Sequence, residues 1–285
     1  MYLSKKYLPS LAICCLASCL IQKAQAVNLI VNGDFETTAN GTNKQIGTSA
    51  AHPDRFTTIT GWYTTAVPTT VPNPEGNPLN LVLASGTGVS TGALNRFSKP
   101  VGDPNAGDPV ILTFWGTGNG GAGASSTGFG SQVFNDVSPT GGNYVAIDGG
   151  FDVGAINQQM SGLTVGQNYQ LSFSWAVAQQ SGFEAPAGLT EKFRVTLGSQ
   201  TFETPTISYL NHGFKGWFSQ TMIFTPTTTN PILSFLSVGT PTGQPPFALL
   251  DGVSLETVPE PSSCLIGALT LAGLTLRRRR TVEII

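Results

Sequence analysis

From residue 169 to residue 177 the side chains alternate. Tyr169, Leu171, Phe173, Trp175 and Val177 are interleaved with Gln170, Ser172, Ser174 and Ala176. A period of two places the first set on one face, so the pattern predicts a strand with that face buried and assigns Trp175 to the core. Phe193, Val195 and Leu197 repeat the pattern, as do Phe218, Gln220, Met222 and Phe224, where Ile223 on the opposite phase suggests partial cover on both faces. Residues 232–238 and 247–255 read as two more strands, bounded by Pro231 and by Pro245-Pro246, which cannot donate ladder hydrogen bonds. Residues 79–84, 110–115, 144–147 and 155–160 are earlier strand candidates. No amphipathic helical period of useful length interrupts them. Short strands separated by Gly, Pro, Asn and Thr turns predict an all-β fold of two stacked sheets, a jelly-roll-type β-sandwich. Residues 116–142 depart from this, with glycines crowded at 116, 118, 120, 121 and 123, and are expected to form a mobile surface loop.

Both ends of the chain break the strand pattern. Lys5 and Lys6 precede an apolar stretch over 7–21, and Ala24-Gln25-Ala26 offers small residues for cleavage before Val27, which predicts a signal peptide over 1–26 and export. Leu16-Ala17-Ser18-Cys19 also resembles a lipobox, although it lies inside the apolar stretch. At the other end, Pro259-Glu260-Pro261 is followed by an apolar run over 264–276 and then by Arg277, Arg278, Arg279 and Arg280. Thirteen residues reach roughly 20 Å as a helix against about 30 Å of hydrocarbon. The arginines hold the far end at the cytoplasmic face, so this segment predicts a short membrane helix stalled in the bilayer. A plain C-terminal anchor is the alternative. The order of Pro-Glu-Pro, apolar run and Arg cluster over 258–285 resembles the PEP-CTERM proteins. That resemblance implies processing by an exosortase-type enzyme, transient anchoring in the inner membrane, and a final place in the cell envelope, on the outer surface or in the extracellular matrix.

Residues 27–257 then form one expected domain. Cys14, Cys15, Cys19 and Cys264 all lie outside it, which excludes a disulfide, a cysteine nucleophile and a thiolate metal site there. It carries fourteen acids against seven bases, a net of −7, with no basic stripe, so nucleic acid is not an expected partner. His52 and His212 are the only histidines, which excludes a three-histidine zinc site.

The opening Asn28-Leu29-Ile30-Val31-Asn32-Gly33-Asp34-Phe35-Glu36, with Gly61-Trp62 downstream, resembles carbohydrate-binding modules of the galactose-binding-like sandwich. The closing Leu249-Leu250-Asp251-Gly252-Val253-Ser254-Leu255 resembles their last strand, with Gly252 where a second acid is usual. The resemblance implies that first and last strands pair and that a structural Ca2+ is held by Glu36 and Asp251, with Asn32, Asp34 or carbonyls as helpers. Asp251 shares its phase with Phe247, Leu249 and Val253, so it is expected to point inward, where an unpaired carboxylate is costly. Hydrogen bonds from these two acids to turn backbone are the alternative.

Sugar binding calls for flat aromatic platforms beside planar polar groups. Trp62, Trp115 and Trp217, with Gln180, Glu184 and His212, are the candidates, concentrated in the connections around 179–192 and 209–217. The alternative is that these aromatics cap the sandwich end. Gly88-Val89-Ser90-Thr91-Gly92 matches a nucleophile elbow in form, but no helix is expected after it, and Glu184 with Glu191 is a formal glycosidase pair. No residue is assigned a catalytic role. The sequence therefore reads as an exported, non-catalytic module for extracellular polysaccharide, against a purely structural surface or biofilm protein, with a secreted hydrolase third.

Overall fold

The computed structural model describes residues 27–66, 76–121 and 132–258. The expected signal peptide and the sorting segment, including Pro259, Glu260, Pro261 and Arg277 to Arg280, lie outside the described residues. Asn28–Thr257 forms one compact unit.

Six short strands come first: β1 (Lys44–Ile46), β2 (Phe56–Thr57), β3 (Tyr63–Ala66), β4 (Asn80–Ala84), β5 (Ala93–Ser98) and β6 (Pro109–Leu112). Nine more follow: β7 (Asn143–Asp148), β8 (Gly154–Gln159), β9 (Tyr169–Gln179), β10 (Leu189–Leu197), β11 (Gln200–Glu203), β12 (Ile207–Tyr209), β13 (Phe214–Phe224), β14 (Ile232–Thr240) and β15 (Pro246–Thr257). They build a nine-stranded sheet in the order β13-β9-β15-β7-β4-β1-β5-β6, with β2 paired to β1. The second sheet has six strands in the order β11-β10-β14-β8-β3, with β12 paired to β10. The steps β7 to β8, β8 to β9, β9 to β10, β13 to β14 and β14 to β15 each change sheet, so neighbours in sequence face each other across the core. The chain is an all-β sandwich.

The inner faces meet over Phe35, Trp62, Phe173, Trp175, Phe193 and Phe235. Phe173 and Phe235 pack edge to face at 5.1 Å, and Phe193 lies 5.8 Å from Phe235. Each such ring, fully buried, contributes about 1.5–3 kcal/mol. The opening segment closes the sandwich by pairing with β15: Leu29 N–H donates to Leu255 O, and Val253 N–H donates to Gly33 O, both at 2.9 Å.

A second core lies on the other face of the nine-stranded sheet, around Leu81, Leu83, Phe114, Tyr144, Phe214 and Phe247. Ala176 and Ala178 of β9 belong to it; their small side chains leave room for the larger rings on neighbouring elements. Phe134 caps this core, stacked on Phe114 at 5.8 Å and edge-on to Phe214 at 5.1 Å. The expected surface loop is thus seated in its described part, because one aromatic anchor and the Asp136 carboxylate, which accepts the Gly88 N–H at 2.8 Å, tie it to the sheet.

Two local expectations change. Strand β6 stops at Leu112, with Phe114 making only an isolated bridge to Gln180, so Trp115 lies outside the strand. Strand β13 starts at Phe214 and bulges between Gly216 and Phe218, which puts Trp217 on a strand instead of in a turn-rich link. Ile223 is 46% exposed, which agrees with the partial cover expected on its face.

Candidate functional site

Three connections converge at one end of the sandwich: 113–116 after β6, 180–188 between β9 and β10, and 210–213 between β12 and β13. Trp115 and His212 stack with ring centroids 3.8 Å apart and planes 26° from parallel. The indole N–H of Trp115 donates to Phe183 O at 3.2 Å, which fixes the ring's rotation. His212 sits in the left-handed region at φ 59°, and its backbone N–H donates to Gln179 Oε1 at 2.5 Å. Its Nε2 lies 2.9 Å from Glu184 Oε1, and Asn211 Nδ2 donates to Glu184 Oε2 at 2.7 Å. These two hydrogen bonds, Asn211's first, hold the exposed Glu184 carboxyl below its ordinary pKa. The result is a half-buried aromatic pair beside an exposed carboxylate and a half-buried amide, the carboxylate held by the Asn211 and His212 side chains. Such a rim can stack a pyranose C–H face and hydrogen-bond neighbouring hydroxyls. Asn211 completes it, since its Oδ1 also accepts Ala185 N–H at 2.6 Å. Its place beside His212 in a turn was the one sequence signal for it.

The other candidates lie elsewhere. Trp62 is 5% exposed, 5.3 Å from Phe35 and 6.3 Å from Phe235, with its indole N–H donating to Val31 O and Asn32 O. It is a core residue and offers no platform. Trp217 is half-buried on β13, edge-on to Tyr144 at 6.0 Å, and donates to Asn135 O. Gln180 does not join the Glu184 cluster; it lines a separate cleft behind Phe183.

Glu36 and Asp251 are close enough that the charge of Glu36 adds to burial in raising the Asp251 pKa to about 6. Asp251 is buried, but on the face of the second core, because Gly252 at φ 61° and a bulge before Ser254 reverse the phase of Val253. Its Oδ2 accepts from the Ser138 and Thr140 hydroxyls, and its Oδ1 accepts Gly252 N–H at 2.7 Å. Glu36 is exposed and accepts Asn143 N–H at 2.5 Å. Gly142 must be glycine here, since its φ is +69° and a Cβ would fall 1.9 Å from Glu36 Oε1. Neither acid is ion-paired among the described residues. Two carboxylates and two hydroxyls are a hard-oxygen donor set that fits Ca2+, with carbonyls and water completing it. The Asn32 amide braces the backbone of Thr37 and Thr60. Among the described residues no group of three His, Cys, Asp or Glu side chains gathers.

The catalytic alternatives do not assemble. Ser90 is exposed on a turn between β4 and β5, and the flanking glycines answer to space: a Cβ on Gly88 would meet the Tyr144 hydroxyl at 2.6 Å, and Gly92 has φ 62°. Glu184 faces solvent while Glu191 is fully buried, so the two share no cleft. Burial, assisted by the nearby Asp148 charge, pushes the Glu191 pKa up to about 8. Asp148 is also buried and raised to about 6, against the lowering effect of three backbone N–H donors from Gly150, Phe151 and Asp152.

No protein-family model matches the chain, and no curated protein matches it. Solved structures similar to it include carbohydrate-binding modules. TmCBM61 in complex with beta-1,4-galactotriose is 11% identical over 81% of this chain and 99% of that one, with a TM-score of 0.36. The N-terminal cellulose-binding domain from Cellulomonas fimi beta-1,4-glucanase C is 16% identical over 41% of this chain and 79% of that one, with a TM-score of 0.26. The enzymatically active domain of bacteriophage CBA120 tailspike protein 4 is 11% identical over 81% of this chain and 22% of that one, with a TM-score of 0.32.

Proposed function

We propose that this protein is a non-catalytic polysaccharide-binding module, exported, sorted through its C-terminal segment by an exosortase-type enzyme, and placed in the cell envelope or extracellular matrix. The sorting and the location rest on the terminal sequence motifs. The binding reading rests on one observation: Trp115 and His212 are stacked at a rim where the exposed Glu184 and the half-buried Asn211 are held pre-oriented. Rigid aromatics with fixed polar partners lose little entropy on binding, which is what a weak, repeated sugar contact requires. Glu36 and Asp251 are the proposed holders of a structural Ca2+, which would neutralise two adjacent acids and pin the first turn to the last strand. The test is binding of residues 28–257 to a polysaccharide panel with calcium and then with chelator. Saturable binding to one glycan class supports the reading. A folded protein that binds none refutes it and leaves a structural surface component.

A further inference from the structure

Glu184 gives the Trp115 rim a fixed negative charge. It is exposed, and the Asn211 and His212 hydrogen bonds that orient it also lower its pKa, so it is a carboxylate at neutral pH. The imidazole Nε2 of His212 is engaged with Glu184 Oε1, so even a protonated His212 only cancels that charge. The other polar groups beside Glu184 are neutral amides: Asn211, and Gln244, whose Oε1 accepts the Glu184 N–H at 3.1 Å.

The cations of the domain are committed or placed elsewhere. Residues 27–257 hold seven bases. Arg96 pairs with Asp152, and Lys192 and Arg194 both meet Glu203, at 2.5 and 3.0 Å. Arg55 is buried and donates to Phe97 O, Ser98 Oγ and Gly107 O. Lys44 sits on β1, separated from β9 in the sheet by β15, β7 and β4. Lys99 follows β5 where Ser98 pairs with Pro109, whereas the 113–116 connection leaves the opposite end of that hairpin, where Ala93 pairs with Leu112. Lys215 comes soonest after His212 in the chain, but its Nζ donates to Ser208 O at 3.2 Å. A carboxylate or sulfate on a glycan stacked at Trp115 and His212 therefore comes within a hydrogen bond's length of Glu184 and meets no counter-charge, in a domain of net charge −7. Hydroxyl and ammonium groups meet the reverse situation, because a carboxylate accepts hydrogen bonds from both and more strongly from the charged donor.

We infer that the rim selects glycans free of acidic groups, taking neutral or amine-bearing sugar units and rejecting uronates and sulfate esters, with Glu184 as the residue that sets the choice. The inference rests on the polysaccharide reading and names the class of polymer. It is tested by titrating residues 28–257 at low ionic strength with neutral oligomers of glucose, mannose and galactose, with oligomers of the corresponding uronic acids, and with chitosan oligomers. The tightest neutral or amine-bearing oligomer is expected to bind at least about tenfold more tightly than any uronate. Salt at 1 M, where the screening length falls to about 3 Å, should narrow that gap. Glu184→Gln keeps the shape of the side chain and removes its charge at an exposed position, so it should fold normally and narrow the gap by raising uronate affinity. A uronate that binds the native protein as tightly as its neutral counterpart would overturn the inference and leave the polysaccharide reading standing. A Glu184→Gln loss shared equally by all classes would mark Glu184 as a brace for His212 and overturn its role as selector. A folded protein that binds none of these oligomers and no polysaccharide refutes the polysaccharide reading and the inference with it.

Discussion

The imidazole of His212 lies against the Trp115 indole at 3.8 Å, and the same imidazole meets Glu184 at 2.9 Å. One histidine thus joins the aromatic and the polar halves of the rim. Trp115→Ala removes the stacking surface and should weaken glycan binding by at least about tenfold, while the lost ring contact costs only about 0.5–1.5 kcal/mol of stability. Isothermal titration beside thermal melting separates the two effects.

Calcium should raise the melting temperature, since an ion bound only by the folded state stabilises it by about 2.7 kcal/mol at a hundredfold excess over Kd. Chelation should reverse the shift. Asp251→Ala should abolish the response, and Gly142→Ala should blunt it by displacing Glu36. An unchanged melting curve on addition and removal of calcium would exclude the site.

Glu191 keeps its proton to about pH 8 in the fold and releases it near 4.5 when exposed. Between these values the folded chain holds one proton more than the unfolded chain, so this contribution is complete below 4.5 and is lost as pH rises to 8. The slope is at most about 1.4 kcal/mol per pH unit from this group. Asp148, raised to about 6, adds to the lower part of the window. Denaturant unfolding across pH 5 to 9 should show stability falling with pH, and Glu191→Gln should flatten that fall and be the more stable protein at pH 8.

Trp175 is 1% exposed, between Phe193 at 5.7 Å and Phe218 at 5.5 Å. Trp175→Ala should cost about 3–5 kcal/mol, read as a lowered midpoint in denaturant. Trp62→Ala should behave the same way and affect binding only through stability, in contrast to Trp115→Ala.

The long strands were legible because β9 and β10 alternate and β14 and β15 are apolar runs bounded by prolines: all four enclose the runs that predicted them. Strands β1, β2, β11 and β12 were not, since two to four residues such as Gln200–Glu203 hold no period and are set by their partner strands. The second core was hidden by Ala176, which reads as the outward phase of β9 but is fully buried under neighbouring rings. Glu191 shows the opposite lesson. It shares its phase with Leu189, Phe193, Val195 and Leu197, so its burial was written in the alternation and was masked only by its charge. Of the rim, Trp115, His212 and Glu184 were named from sequence, but their meeting depends on three loop ends whose geometry no local pattern encodes.

The bonds from Leu29 to Leu255 and from Val253 to Gly33 run antiparallel, so the two ends of the unit leave side by side at one end of the sandwich. A pull between those ends would load the bonds one after another, as in opening a zipper, and not all at once. The seam between the opening segment and β15 would therefore give way first under low force, letting the domain shed its first turn while both hydrophobic cores still hold.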